Sequence, residues 1–454
     1  MRTLVLVDGE HYPPVVRVAV EQLPLRFPGT DVVGACLLGG TEKLRAGEVP
    51  DLGVPVVTGA TPDAALVEGL SRFAPELVVD LSDEPVLDAR TRLRLAARAL
   101  AAGVAYAGAD FRFDPPPRPR VATKPTVAVV GTGKRTGKTA VAGAMARVLA
   151  GRGTPPVIVA MGRGGPAEPE LIDPTVVELT PQALLARADE GHHAASDHLE
   201  DAVMAGVVTV GTRRCGGGLA GQPASDTFAA GVRLANQRPE SVLLLEGSGQ
   251  AIPPVHADAT VCVVPADADP ELVTGYLGAY RLLLSDLIVV TMAEPTPFVS
   301  DAKGAVAPRE KIVSLESSVR GLAPGVRFVH TVFRPRPLLP ISGRRVVYAT
   351  TAPPPALGLL IDHLEREHGA TVVGHSPHLA DRARLQADLE AAGEADVLVV
   401  ELKAAGVDLA TRFALERGME VVFCDNEVVS TGGDEPFDTA VMRTADLAAR
   451  RHVL

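Results

Sequence analysis

Gly131-Thr132-Gly133-Lys134-Arg135-Thr136-Gly137-Lys138-Thr139 is the stretch on which the fold of this chain turns. It follows an apolar run at 126–130 and opens a segment with helical spacing at 140–149. Strand, glycine-rich turn, Gly-Lys-Thr and helix form the arrangement that cradles nucleotide phosphates. Gly131, Gly133 and Gly137 let the backbone curl so that its N–H groups point inward, and the helix N-terminus adds partial positive charge. Lys138 is expected to neutralise the β- and γ-phosphates of ATP, and Thr139 to ligate Mg²⁺. The competing reading is a glycine-rich turn ahead of an ordinary helix.

Further along, Ser241-Val242-Leu243-Leu244-Leu245-Glu246-Gly247-Ser248-Gly249-Gln250 reads as a buried strand that ends in a carboxylate and small residues. A parallel strand beside the phosphate loop delivers such an acid next to the γ-phosphate, where Glu246 binds or orients Mg²⁺. A capping acid at a strand end is the alternative. Two segments between these motifs couple arginine with glycine. They are Met161-Gly162-Arg163-Gly164-Gly165-Pro166 and Gly211-Thr212-Arg213-Arg214-Cys215-Gly216-Gly217-Gly218-Leu219-Ala220-Gly221. Exposed backbone N–H groups around a guanidinium suit a multiply charged phosphate ligand. Consecutive glycines are costly in chain entropy, which argues against an idle turn. Arg163, Arg213, Arg214, Gly216 and Gly217 are therefore candidate substrate-binding residues. Lys134 and Arg135 are candidates for contacting the transferring phosphoryl group, against the alternative of a solvated basic loop.

The chain has 454 residues, 46% of them hydrophobic, which is enough for two or three cores. Its net charge of −11 argues against a nucleic-acid binder, because a phosphate backbone rewards a basic surface. An acidic chain that gathers Lys134, Arg135, Lys138, Arg163, Arg213 and Arg214 near one sheet edge neutralises concentrated negative charge there. ATP accounts for Lys138, so the surplus arginines point to a second phosphorylated ligand. No stretch reaches membrane-spanning length without charge or proline, and the N-terminus runs straight into a strand pattern; a cytoplasmic protein without membrane attachment is expected. Cys36, Cys215, Cys262 and Cys424 lie far apart as free thiols, and the cluster His192, His193 and His198 lacks partners at zinc spacing.

Alternating strand and helix patterns make this an α/β chain. The expected architecture is a central P-loop NTPase parallel sheet, flanked by an N-terminal Rossmann-like domain and a C-terminal α/β segment. The expected domains are 1–118, N-terminal; 119–340, ATP-binding and catalytic; and 341–454, C-terminal. Proline-rich connectors at 114–120 and 334–337 mark the changes, with 326–332 read as a strand and 420–423 as the last one. In the N-terminal part, polar clusters at 8–11 and 80–84 sit at expected strand ends, as a site or as plain solvated loops.

The phosphate loop has its first glycine at 131 instead of 132, and this longer form resembles dethiobiotin synthetase, which also carries a Glu-Gly-small-Gly segment like that at Glu246. A wider resemblance rests on several segments together. These are Asp8-Gly9-Glu10-His11-Tyr12-Pro13-Pro14, the phosphate loop, Arg163-Gly164-Gly165-Pro166, Ala195-Ser196-Asp197-His198-Leu199-Glu200-Asp201-Ala202 and the Arg213 to Gly221 segment. Glu401-Leu402-Lys403-Ala404-Ala405 and Cys424-Asp425-Asn426-Glu427 add to them. With these, essentially the whole chain resembles the cyclic 2,3-diphosphoglycerate synthetase family. The resemblance implies ATP-dependent closure of 2,3-diphosphoglycerate into a cyclic phosphoanhydride, with release of ADP and phosphate. It implies Lys138, Thr139, Glu246 and Mg²⁺ on ATP, and Arg163, Arg213 and Arg214 on the substrate. It also implies lesser roles for His11, Asp8, Lys403 and Asn426, and a homodimer. Two other readings stay open. One is a dethiobiotin-synthetase-like ring closer acting on a carboxylate; the other is a nucleotide switch or metal-delivery GTPase, although Asn-Lys-x-Asp is missing at 290–295.

Overall fold

The computed structural model describes residues 1–40, 49–294 and 308–453. They form two compact units, the first of residues 1–117, 269–284 and 318–324, the second of 118–268, 285–317 and 325–454.

In the first unit, β1 (Arg2–Val7), β2 (Asp31–Leu37), β3 (Val56–Thr58), β4 (Leu77–Asp80), β5 (Ala105–Ala107) and β6 (Arg112–Phe113) form one sheet in the order β3-β2-β1-β4-β5-β6. All pairs are parallel except β5 with β6. The helices α1 (Pro13–Arg26), α2 (Pro62–Phe73) and α3 (Ala89–Ala101) connect the strands. Thr61 and Asp88 cap α2 and α3 by accepting the Ala64 and Thr91 N–H groups. Strand order reverses between β1 and β4, the doubly wound arrangement in which a crevice opens at the carboxyl ends. Asp8 and Asp80 stand at those two ends, both buried.

The second unit is built on a 13-stranded sheet. Its strands are β7 (Thr126–Gly131), β8 (Pro156–Gly162), β9 (Glu170–Ile172), β10 (Thr209–Cys215), β11 (Ser225–Asp226), β12 (Val242–Glu246), β13 (Ala259–Pro265) and β14 (Leu287–Thr291). They continue into β15 (Arg327–Pro337), β16 (Arg345–Ala349), β17 (Thr371–Ser376), β18 (Val397–Val400) and β19 (Glu420–Gly433). The order is β11-β10-β8-β12-β7-β13-β14-β15-β19-β18-β16-β17, with β9 on β10. Helices α4 (Lys138–Gly151), α6 (Asp197–Ala205) and α7 (Phe228–Asn236) cover the part around the phosphate loop, while α5 (Pro181–Asp189) packs against residues 406–416 and β19. Every residue of β7, β8 and β12 is buried, as expected of parallel strands covered on both faces.

One element differs from the sequence reading. The Arg334-Pro335-Arg336-Pro337 stretch is no connector: it continues β15, which pairs antiparallel with β19 from Val329 opposite Gly433 to Pro337 opposite Cys424. Ladder pairing with β14 ends at His330, and Ala293 N–H donates to Thr331 O at 2.9 Å. Beyond that, among the described residues, no strand pairs with β15 on that side, so a missing proline N–H there costs no ladder hydrogen bond. The polar, glycine-ended second half of β19, beyond the strand read at 420–423, is drawn into the same long pair. A parallel sheet carrying the phosphate loop and a second parallel sheet, β19-β18-β16-β17, are thus joined by one antiparallel seam. The final helix, Phe437–His452, inserts Phe437, Ala440, Val441 and Ala448 into the core that holds Val127, Val129, Val141 and Met145.

Candidate active site

The strands β10, β8, β12 and β7 are consecutive in the second sheet and parallel, so their carboxyl ends lie side by side. β7 runs out at Gly131 into the phosphate loop, and α4 begins at Lys138. Gly137 precedes it at φ 86°, and a Cβ there would fall 2.2 Å from the Phe333 ring of β15, so only glycine fits. The loop is tied down from neighbouring strands: Thr132 N–H donates to Val263 O at 3.2 Å and Thr291 Oγ1 to Thr136 O at 2.8 Å. Lys138 is buried, with Nζ donating to Gly133 O at 2.8 Å and within 3.4 Å of Thr136 Oγ1. Burial holds its pKa below the ordinary lysine value, with Arg163 pushing the same way and Glu246 and Asp197 opposing. An ammonium in such a place favours an added polyanion.

Glu246 ends β12 directly beside β7, paired with Val129. Its Oε1 accepts the Thr139 hydroxyl at 2.7 Å, and its Oε2 has no partner. Burial, then the Asp197 charge, pushes the Glu246 carboxyl up to about 7, against the Thr139 hydrogen bond. Two acids that the sequence reading left without a role come from α6. Asp197 opens that helix behind its N-cap, Ser196, and Asp201 follows one turn later on the same face. Asp201 is fully buried with neither carboxylate oxygen partnered. Burial, then Glu246 and Glu200, raises it well above the carboxylate range. Glu246 and Asp201 are close enough to compete for one proton, so they interact either through that proton or through a shared cation. The i, i+4 spacing of Asp197 and Asp201 behind a serine cap was the available signal; their meeting with Glu246 depends on packing.

Thr139, Glu246 and Asp201 together offer hydroxyl and carboxylate oxygens, three of them unpartnered. That donor set fits Mg²⁺, which uses one or two carboxylates and leaves its other positions to phosphate oxygens and water. Among the described residues no group of three or more His, Cys, Asp or Glu side chains could hold a metal by itself. His198, from the histidine cluster, is instead buried between Ser196 Oγ at 3.0 Å and Glu170 Oε2 at 3.3 Å.

The arginines come from the next two strands. Arg214 donates from Nη1 to Gly216 O at 2.6 Å and from Nη2 to Ser248 O at 2.7 Å, bridging β10 to the turn after β12. Gly249, at φ 59°, leaves the space both guanidinium groups use: a Cβ there would lie 2.8 Å from Arg163 Nη2 and 3.3 Å from Arg214 Nη2. Burial and then the Arg163 charge lower the Arg214 pKa. Arg163 forms no hydrogen bond or ion pair with the described residues. Two cations held together over a glycine, with one unpaired, make a seat for an anion. Arg213, next along β10, is exposed, and its backbone N–H donates to Thr227 Oγ1 at 3.1 Å. Alternation on the strand therefore separates Arg213 from Arg214. A Cβ at Gly217 would lie 3.7 Å from Arg214 Nη1, and Lys134 and Arg135 are exposed on the loop, Arg135 at φ 61°. His11 belongs to the first unit, where its Nδ1 lies 2.8 Å from Asp8 Oδ1 and its Nε2 3.7 Å from Asp83 Oδ2. Among the described residues no helix is long and apolar enough to cross a membrane.

Comparison with known proteins agrees along the whole chain. Models for the N-terminal, P-loop and C-terminal domains of cyclic 2,3-diphosphoglycerate synthetase match residues 2–114, 126–332 and 337–427. A protein of that name from Rubrobacter xylanophilus is 47% identical over 450 residues, covering 99% of this chain and 98% of its own length. Another from Methanothermus fervidus is 40% identical over 457 residues, covering 98% and 97%. A third, from Thermococcus gammatolerans, is 46% identical over 433 residues, covering 95% and 94%. Among solved structures, LpxK from Aquifex aeolicus aligns with 74% of this chain and 90% of its own at 14% identity and a TM-score of 0.41, too distant to add to these matches. By its three domains and its near full-length relatives, the chain belongs to the cyclic 2,3-diphosphoglycerate synthetase family.

Proposed function

We propose that this enzyme closes 2,3-diphosphoglycerate into its cyclic phosphoanhydride at the expense of ATP. The observation that carries the reading is the convergence of Arg163 and Arg214 over Gly249, in the turn that follows the strand ending in Glu246. A phosphate-loop enzyme acting on a carboxylate needs fewer cations beside its acceptor site, so the paired arginines favour a phosphorylated acceptor. Two phosphates on adjacent carbons repel each other and are poor electrophiles. The γ-phosphoryl group of ATP passes to an oxygen of one substrate phosphate, breaking the β–γ bridge and releasing ADP. An oxygen of the neighbouring phosphate then attacks that activated phosphorus, forming the ring P–O–P bond and expelling inorganic phosphate. Because nucleophile and electrophile share one molecule, proximity supplies several kcal/mol of the barrier.

The protein's part is to position and to neutralise. Lys138 and the loop N–H groups hold the triphosphate, and Lys134 or Arg135 stabilises the transferring group. Arg163 and Arg214 fix the substrate phosphates, with Gly216 and Gly217 as further contacts. Thr139, Glu246 and Asp201 would hold Mg²⁺, which would supply charge neutralisation to the triphosphate. The enzyme acts in the cytoplasm as a homodimer in this reading.

Incubation with Mg-ATP and 2,3-diphosphoglycerate, followed by phosphorus NMR, tests the reading through appearance of an anhydride resonance with ADP. ATP consumption only with a carboxylate acceptor, together with thermal stabilisation by carboxylates and none by diphosphoglycerate, would replace it with the ring-closing carboxylate ligase.

A further inference from the structure

Helix α6 has only nine residues, yet both of its ends are gripped by charged groups. At its C-terminal end the Met204 carbonyl accepts from Arg147 Nη1 at 3.2 Å and from Arg336 Nη2 at 3.0 Å. Asp425 of β19 gathers the same two arginines at 2.7 Å and 2.9 Å. In its first turn, Glu200 receives Lys403 Nζ on both oxygens, at 2.5 Å and 2.6 Å. Lys403 stands on the tight turn after β18. Its N–H donates to Glu401 O at 2.9 Å and its carbonyl accepts from Val407 N at 2.9 Å. Glu401 is in turn held by the Thr350 hydroxyl at 2.5 Å and the Thr351 N–H at 3.2 Å. Asp197, Glu200 and Glu401 all act on the Lys403 ammonium. Asp201 follows Glu200 in the chain, with its unpartnered carboxylate beside Glu246.

We infer that Lys403 is a positioning residue: through Glu200 it sets α6 so that Asp197 and Asp201 meet Glu246, and by this strut the C-terminal α/β segment controls how tightly the phosphate-loop site takes a divalent cation. The inference rests on the proposed assignment of Glu246 and Asp201 as cation ligands. Lys403 bonds Glu200 and feels the Asp197 charge, and it forms no hydrogen bond with Thr139, Glu246 or Asp201. A charge-assisted bond to both oxygens of Glu200 fixes the rotation of the helix as well as its distance. Without the ammonium, Asp197, Glu200 and Glu401 repel one another and the helix loses its brace.

The test uses the full chain and reads Mn²⁺ binding by electron paramagnetic resonance, with a non-hydrolysable ATP analogue present. Lys403→Met is expected to weaken Mn²⁺ binding about tenfold, the scale on which second-layer partners of metal ligands act. Affinity for the analogue in EDTA stays unchanged, Lys403→Arg retains most Mn²⁺ binding, and the reciprocal pair Glu200→Lys with Lys403→Glu recovers part of it. Unchanged Mn²⁺ affinity in Lys403→Met overturns the inference. So does a loss confined to diphosphoglycerate affinity, which would make Lys403 a substrate ligand. Glu246→Gln serves as the control, since undiminished Mn²⁺ binding there overturns the cation assignment itself. Mn²⁺ binding that follows these expectations in an enzyme that makes no cyclic product leaves the inference standing and overturns the proposed reaction.

Discussion

A buried lysine, two carboxyls with unpartnered oxygens and a pair of converging guanidinium groups each carry electrostatic cost, and each cost predicts a response. Arg214 lies on the acceptor side of the site, bonded to Ser248 and Gly216 and remote in sequence from the phosphate loop. Arg214→Ala should raise KM for diphosphoglycerate by about tenfold or more, with KM for ATP within about twofold, by loss of a charged contact made to one ligand. Steady-state kinetics varying each substrate in turn checks this, and equal loss for both would contradict the division of labour. Glu246 gives a pH prediction. Its carboxyl is pushed up to about 7 in the folded chain, whereas an unfolded glutamate titrates near 4.3. Between those values the folded chain keeps a proton that the unfolded chain releases. Stability therefore falls as pH rises through that window and levels off above about 7. Without divalent cation, wild type should lose more melting temperature than Glu246→Gln between about pH 5 and pH 8. Identical slopes for the two proteins would show that Glu246 does not titrate there. At this scale much of the site was legible, because glycine, lysine, threonine and arginine in runs have few uses other than phosphate binding. Asp197 and Asp201 were quoted in the sequence resemblance but carried no assigned role, since an acid on a helix face is ordinarily solvated.

Among the elements, α6 and β15 define the site without belonging to the recognised motif. β15 supplies Phe333, which occupies the space beside Gly137, and Arg336, which caps α6. Asp425, buried at the middle of β19, neutralises Arg147 from the phosphate-loop helix and Arg336 from β15 together. Asp425→Asn should destabilise the second unit by about 2 kcal/mol, below the roughly 3–5 kcal/mol of breaking a fully buried ion pair because both arginines keep some solvent. Urea unfolding measures it, and a change below about 0.5 kcal/mol would mean the arginines find water instead. The strand ending in Glu246 could be read directly from local residue order. The proline-bearing half of β15 could not. Whether a proline breaks a strand depends on which side of it lacks a partner, and that is a property of the sheet.

For the second unit as a whole, the seam between β15 and β19 makes one sheet of two parallel ones, and the last helix completes the core behind the phosphate loop. The segment 119–340 lacks both β19 and Phe437 to His452. Expressed alone, it should fail to fold cooperatively, showing exposed apolar surface by dye binding and no sharp thermal transition. A cooperative transition with retained ATP-analogue binding would show that the phosphate-loop part is self-sufficient. The composition signals that divide the chain are local, whereas cores close through contacts hundreds of residues apart.

By itself the sequence determined the α/β class, the phosphate loop, the acid that ends β12 and the family, because each is written in neighbouring residues whose chemistry is short-ranged. Tertiary structure alone decided that Arg163 and Arg214 meet over Gly249, that Asp201 faces Glu246, and that Lys403 braces the helix between them. Those meetings depend on strand order and on packing of α6 between two parts of one sheet. A one-dimensional pattern carries neither.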